Sequence, residues 1–315
     1  MKHQKQHYVP KVYLKQFSKN LSGNFFRTGL NPKFHNSIKS KNVSEVCFLD
    51  NFYTLNKDDT LKKYELPDKN FIEKSGFRYE NHLITQIINK FKNKNAYIYK
   101  SIHENLVDIY LNIKQRGILY RKDYTGQKGK ESLNKILTKE IDINKALWKS
   151  YFGEMVNDEM FEKIKNDIIL DSERHEEFHK TALVTSAKGI NSNVEETKRV
   201  LLKMNIYLFE PKYHNDYFIT SDNPGFSLLK GKVFNTNFGD FDSVGFPINS
   251  KQFIFFHGKS VQSEFEIRRA INYQKATSKE VDQFNYYTMQ NSFEYVFCES
   301  KSYLKYITEK LHEGL

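Results

Sequence analysis

The spacing of apolar residues changes near residue 204, and that change restricts what the chain can fold into. Between residues 69 and 203 apolar side chains recur at about 3.6-residue spacing, the mark of helices with one buried stripe. From residue 205 they come instead in short alternating or continuous runs bounded by Asn, Asp, Gly and Pro, the mark of strands. A helical middle followed by a strand-forming part reads as an α+β fold.

The strongest stripe lies in residues 69–94, where Phe71, Ile72, Phe77, Leu83, Ile84, Ile87, Ile88 and Phe91 share one face of a predicted helix. Helices are also predicted over 102–120, 132–169, 172–188 and from a cap at Asn193 to residue 203, with DYTGQKGKES between the first two as a loop. A short helix over 12–17 and extended segments at 24–28 and 46–55 precede them. Strands follow at 205–210, 217–221, 233–237, 243–247 and 252–257, then helices at 261–270 and 278–291, a strand at 295–298 and a last helix at 301–311. No repeat and no Pro, Gly or Ser-rich linker divides the chain. The expectation is a single α+β domain over 1–315, with a mainly helical region 69–203 and a β-rich region 204–298. In it a mixed or antiparallel sheet, built from N-terminal and C-terminal strands, is covered by the central group of helices.

Composition limits function less than fold. Aromatic residues make up 15 % of the chain, with 20 Tyr and 26 Phe, too much ring surface for a disordered polymer. Lys and Arg number 49 against 38 Asp and Glu, a formal charge of +11, which draws polyanions through counterion release. Cys47 and Cys298 stand alone and far apart, so neither a disulfide framework nor a thiolate zinc knuckle is encoded, and a reducing cytoplasm fits. The first twenty residues lack a signal-peptide apolar core and nothing later is long enough to span a bilayer, so a soluble protein without membrane contact is expected. The sequence has no G-x-x-x-x-G-K-[ST], no G-x-G-x-x-G after a strand and no G-x-S-x-G, which removes the signatures of P-loop motors, dinucleotide enzymes and α/β-hydrolases.

Several segments taken in order resemble a known family: QHYVPKVYLKQF at 6–17, NFYTL at 51–55, FRYENHL at 77–83, LNIKQRGILYR at 111–121, YFITSDNP at 217–224 and FPINSKQFIFF at 246–256. Their order and spacing resemble the bacterial domain-of-unknown-function family 4238, whose hallmarks are an N-terminal His-Tyr-(Val or Ile)-Pro and a later Thr-Ser-Asp-x-Pro. The resemblance implies that His7, Tyr8, Pro10, Tyr13, Glu80, Gln115, Arg116, Ser221, Asp222 and Pro224 stand at the family's recurring positions. Here Gly117 and Ile118 replace an expected Thr-Pro, and Asn249 replaces an expected Ser. The resemblance also implies a setting among mobile and antiviral-defence genes.

His7, Glu80, Gln115 with Arg116, and Asp222 fall on different predicted elements, as groups of one site commonly do. If they converge, Glu80 and Asp222 hold Mg²⁺ or Mn²⁺, His7 is a ligand or general base, and Gln115 and Arg116 orient a phosphate, which is a kit for phosphodiester hydrolysis. The structural reading of the same residues is a turn cap at Asp222, a surface ion pair at Glu80 and a backbone bond at His7.

A second set is His175-Glu176-Glu177-Phe178-His179, a literal H-E-x-x-H. On a helix it puts His175 and His179 on one face as zinc ligands with Glu176 as base. Against that, Glu177 is charged where such helices are buried and no third ligand follows at the usual spacing, so a solvated His-rich helix face is the competing reading.

Basic and aromatic residues interleave around Lys11 and Tyr13, Lys90 and Lys94, and Lys212, a pattern that stacks bases and neutralises phosphates. The leading expectation is therefore a nucleic-acid-acting effector, a metal-dependent nuclease. The alternatives are a non-catalytic sensor or binding module for a phage component or nucleotide, with a protein partner or homo-oligomer, and a zinc hydrolase.

Overall fold

Where the apolar period changes, helices give way to sheet. A computed structural model describes residues 4–30, 37–55, 58–78, 84–92, 97–153, 157–235, 241–260 and 267–312. The N-terminal part contributes β1 (Lys5–His7), α1 (Lys11–Leu14), β2 (Asn24–Gly29), β3 (Lys39–Asn42) and β4 (Phe48–Asp50). Next come α2 (Asp58–Lys63), α3 (Phe71–Arg78), α4 (Ile84–Lys92), β5 (Tyr97–Tyr99), α5 (Lys100–Arg116) and α6 (Ile118–Thr125). The remaining central helices are α7 (Gln127–Phe152), α8 (Asp158–Leu170), α9 (Ser172–Ala187) and α10 (Ser192–Leu202). The sheet part contains β6 (Met204–Pro211), β7 (Thr220–Ser221), β8 (Phe226–Leu229), β9 (Lys232–Phe234), β10 (Ser243–Asn249), β11 (Gln252–Lys259) and β12 (Arg268–Ala276). The chain closes with α11 (Ser278–Gln290), β13 (Tyr295–Cys298) and α12 (Lys301–His312).

The main sheet has the order β5-β12-β6-β11-β10-β8-β9, and a smaller one the order β3-β2-β13-β7. In the main sheet β12 runs parallel to β6 while its other described pairings are antiparallel, so the sheet is mixed. The smaller sheet joins N-terminal β2 and β3 to C-terminal β13, which is the expected union of the two ends. This is an α+β fold.

Alternation along β6 divides the core in two. Ile206 and Leu208 face α5 and belong to a cluster with Leu106, Tyr110 and Phe256, all buried. Phe209 faces the other way and joins Phe218, Phe253 and Val281 beneath α11 and α12. Each fully buried ring or branched side chain of this kind contributes about 1.5–3 kcal/mol relative to exposure. Gly245 makes room for the rings of this second side: a Cβ there would lie 2.4 Å from the Phe226 ring and 2.8 Å from that of Phe253.

The structure departs from the expected elements at definite places. The predicted helix over 69–94 is helical in the described stretches α3 and α4, with 79–83 outside the described residues, and that over 132–169 breaks between α7 and α8 at Gly153, whose φ is +59°. DYTGQKGKES is helical except near Gly126, because α6 runs through Thr125 and α7 begins at Gln127. The expected strand over 46–55 shortens to β4. The helix expected at 261–270 is corrected: 268–270 open β12, where Arg269 and Ile271 point inward and pairing with β5 and β6 outweighs helical spacing, while 261–266 lie outside the described residues. The short strands β1 and β5 had no recognisable alternation.

Candidate functional site

Helix α5 carries Gln115 and Arg116 at its C-terminal end. Leu106, Val107, Ile109, Tyr110 and Ile113 bury its apolar side, so its last turn is fixed inside the protein. The Arg116 guanidinium donates to the main-chain carbonyl of His7 at 3.1 Å, lies 3.6 Å from the Glu73 carboxylate and sits 4.7 Å above the Tyr53 ring. The Tyr53 hydroxyl donates back to the Arg116 carbonyl at 2.9 Å, satisfying an end-of-helix acceptor. Lys114, equally buried, donates to the Gly225 carbonyl at 2.9 Å and to Asn223 Oδ1 at 3.3 Å, and its removal from water pulls its pKa well down. Asn223 in turn donates to the Asn291 carbonyl at 2.6 Å and to Asn235 Oδ1 at 3.1 Å.

Asp222 is 1 % exposed, and its carboxylate accepts the main-chain N–H groups of Phe293, Glu294 and Tyr295 at 2.8, 2.7 and 3.0 Å. Burial pushes its pKa up to about 7, opposed by those three N–H donors, with Glu294 adding to the rise. Asp222 thus clasps the loop before β13, the turn-capping use of this residue. The His7 imidazole packs on Phe48, with ring centroids 5.6 Å apart, and its Nε2 has no partner. Burial, helped by Lys11, lowers its pKa to about 4. Glu80 lies outside the described residues. Among the described residues no group of three His, Cys, Asp or Glu side chains is placed to hold a metal ion.

The H-E-x-x-H segment is on α9 as expected, but it faces inward rather than toward solvent. His175 and His179 are 2 % and 0 % exposed. Both His175 ring nitrogens lie against carbonyl oxygens, of Tyr124 at 3.0 Å and of Ile169 at 2.8 Å. His179 sits among the rings of Phe52, Tyr120 and Tyr124, its nitrogens unpartnered, and burial lowers its pKa to about 3. Glu176 is held in a fork by Arg121, with Nε at 2.8 and 3.0 Å from its two oxygens, and Glu177 accepts from Thr60. The solvated-face reading is therefore corrected for the two histidines, which main-chain carbonyls and aromatic rings bury, while Glu176 and Glu177 are half-buried and Phe178 is exposed.

Of the residues expected on a nucleic-acid surface, Tyr13 is a core residue, 1 % exposed, with its hydroxyl 2.9 Å from Thr220 Oγ1 and donating to the Pro247 carbonyl at 2.8 Å. Lys11, Lys90 and Lys212 are exposed, but on α1, on α4 and just after β6. Lys94 lies outside the described residues.

Beside these stitches lies a partly open cleft, of about 280 Å³, between α3, α5, α9 and α10. Ile72, Leu111, Leu183 and Val194 give it apolar walls, and Asn112, Gln115 and Ser186 add neutral polar groups. Lys198 and Asp108 form an ion pair of 2.6 Å at its wall. Gln115 is 5 % exposed, and its carboxamide nitrogen is buried with no hydrogen-bond partner; the Ser186 hydroxyl is in the same condition. A buried donor left unmade costs about 1–3 kcal/mol, so a cleft that keeps two of them is suited to a ligand that supplies acceptors.

The family model described as a protein of unknown function, DUF4238, matches residues 5–302. The chain belongs to the DUF4238 family. No curated protein and no solved structure matches it. Five of the six DUF4238 motifs quoted from the sequence contact one another, with His7 and Tyr53 on Arg116, Asn223 on Lys114, and Tyr13 between Thr220 and Pro247, while most of FRYENHL lies outside the described residues. In this DUF4238 chain the sequence reading placed Gln115 and Arg116 at a site and missed Asp108, Ser186 and Lys198, which share their cleft. The one signal for them was helical position: Asp108 lies seven residues before Gln115, on the same face of α5.

Proposed function

We propose that this protein is a nucleotide-binding module, with the cleft between α3, α5, α9 and α10 as its ligand site. The observation that carries the reading is the Gln115 carboxamide, a buried donor with no partner in a cleft that also holds Asn112, Ser186 and the Asp108–Lys198 pair. Apolar walls suit the faces of a nucleobase, the two carboxamides suit its hydrogen-bonding edge, Ser186 and Asp108 suit sugar hydroxyls, and Lys198 suits a phosphate. The volume of about 280 Å³ stands near the lower bound of small-ligand sites. The balance of acidic and basic groups in the wall favours a mixed, polar ligand over a bare anion.

The expectation of a metal-dependent nuclease has less support. Asp222, one of its two carboxylates, already accepts three main-chain N–H groups, and no cation ligand set stands among the described residues. The link to nucleic acid is kept through the nucleotide unit and the net charge of +11.

Titration calorimetry with a panel of nucleoside mono- and triphosphates tests the reading. The expected result is saturable binding of at least one nucleotide, weakened about tenfold by Gln115→Ala, the loss of roughly one hydrogen bond. No heat with any nucleotide, or equal affinity in the variant, would overturn it.

A further inference from the structure

The main sheet has one face against α5 and another only partly covered. Ile98, Ile206, Ile254, Phe256 and Ile271 are buried on the α5 side. On the opposite face α11 covers Phe209 and Phe253 through Phe284, whose ring lies 5.1 and 4.6 Å from theirs. Phe255 on that face also packs on Phe284, at 5.6 Å, and beyond it the face carries Tyr207, Tyr99 and Tyr97 across β6 and β5. Strand register places them on one side: Phe255 opposes Tyr207, Tyr207 opposes Asn272, and Arg268 and Ala270 oppose Tyr99 and Tyr97. Tyr97 and Tyr99 are 55 % and 56 % exposed, while Tyr207 and Phe255 are half-buried.

From this arrangement we infer that the open sheet face binds single-stranded nucleic acid, with Tyr97 and Tyr99 as stacking platforms for bases. Rings two residues apart on one strand are about 6.6 Å apart, a spacing that an extended strand of nucleotides can follow one base at a time. Charge on the face matches the partner. The Arg268 guanidinium lies 5.9 Å from the Tyr99 centroid, and the exposed His257 stacks on Phe255 at 5.9 Å. None of the residues at 97, 99, 205, 207, 255, 257, 268, 270 and 272 is Asp or Glu, and the chain as a whole carries +11. A duplex keeps its bases stacked inside, so rings on an open sheet find no face to stack on; single strands offer them. The surface is separate from the cleft, which lies among helices on the other side of the sheet's α5 layer.

Fluorescence anisotropy with a labelled twelve-base oligouridylate, and with a duplex of the same length, tests the inference. The expected result is binding to the single strand that falls steeply with salt and exceeds duplex binding. Tyr97→Ala and Tyr99→Ala each weaken it about fivefold or more, Tyr97→Phe and Tyr99→Phe preserve it, and Arg268→Ala lowers the salt slope by about one. Tyr151→Ala, on the exposed side of α7, binds as the wild type does, which separates stacking from a general loss of surface rings. All five single tyrosine variants change exposed side chains, and their melting temperatures report that the fold is intact. Anisotropy unchanged up to about 100 µM protein, the weak end of non-specific affinity, would overturn the inference, as would equal binding by the double Tyr97→Ala, Tyr99→Ala protein or a preference for duplex. Capture of an apolar peptide with no oligonucleotide binding would reassign the face to a protein partner.

Discussion

Tyr53 and Arg116 hold each other twice: the Tyr53 hydroxyl donates to the Arg116 carbonyl at 2.9 Å, and the Arg116 guanidinium lies 4.7 Å over the ring of the same tyrosine. The first contact ends α5 and the second fixes the side chain that leads from it to His7. Two sequence-distant motifs are thereby locked to the helix that carries Gln115 into the cleft. Tyr53→Phe keeps the ring and removes only the hydroxyl, so it is expected to cost about 1 kcal/mol. Arg116→Ala removes the cation–π contact and the bond to His7 together and is expected to cost about 3 kcal/mol or more. Urea denaturation of both variants checks the order, and equal losses would contradict it.

Asp222 holds the main-chain N–H groups of Phe293 and Glu294, just before β13, and of Tyr295, which opens it. Asp222→Ala orphans all three and is expected to destabilise by about 2–4 kcal/mol, lowering the melting temperature by about 3–6 °C in a chain of this size. Asp222→Asn retains one acceptor oxygen and is expected to lose about half as much. A residue kept only as a metal ligand would show little loss of stability in either variant, and calorimetric melting separates the two.

Three histidines drawn out of water, His103 on α5 and His179 fully and His7 in part, make stability depend on pH. Burial lowers His7 to about 4 and His103 and His179 to about 3, below the ordinary 6.5 of the unfolded chain. The unfolded state binds these protons first, so their contribution is complete above pH 6.5 and is lost as pH falls from there toward 3. Asp222 acts in the opposite sense: with its folded pKa raised from 3.8 to about 7, stability is lost as pH rises through that interval. Three groups against one give a net loss on acidification. Phe at 179 has no ring nitrogen to desolvate and keeps the contacts to Phe52, Tyr120 and Tyr124, so His179→Phe is expected to flatten the acid slope by about 1.4 kcal/mol per pH unit. An unchanged slope in chemical denaturation between pH 4 and 6.5 would contradict this.

The helical layer was legible because its stripes repeat locally: Ile84, Ile87, Ile88 and Phe91 are all buried as their spacing requires. Residues 268–270 were not, since the charged Arg269 turns inward beside Ile271 and hides the alternation, and only pairing with β5 and β6 makes the segment a strand. Basic-aromatic interleaving misplaced Tyr13, whose ring is core while its hydroxyl is satisfied by Thr220 and Pro247, partners more than two hundred residues away. The cleft left no linear trace. Ile72, Gln115, Ser186 and Lys198 come from four helices, and their meeting depends on helix packing that no local period encodes.

Whether the cleft is a nucleotide site is tested most directly by filling it. In thermal-shift experiments a ligand bound only by the folded protein raises the melting temperature in proportion to its saturation. The account predicts that the nucleotide giving the largest rise in the wild type gives none in Ser186→Trp, a variant that places an indole among Leu183, Val194 and Gln115 while still unfolding in one cooperative transition. An equal rise in the two proteins, or no rise with any nucleotide in the wild type, would contradict it.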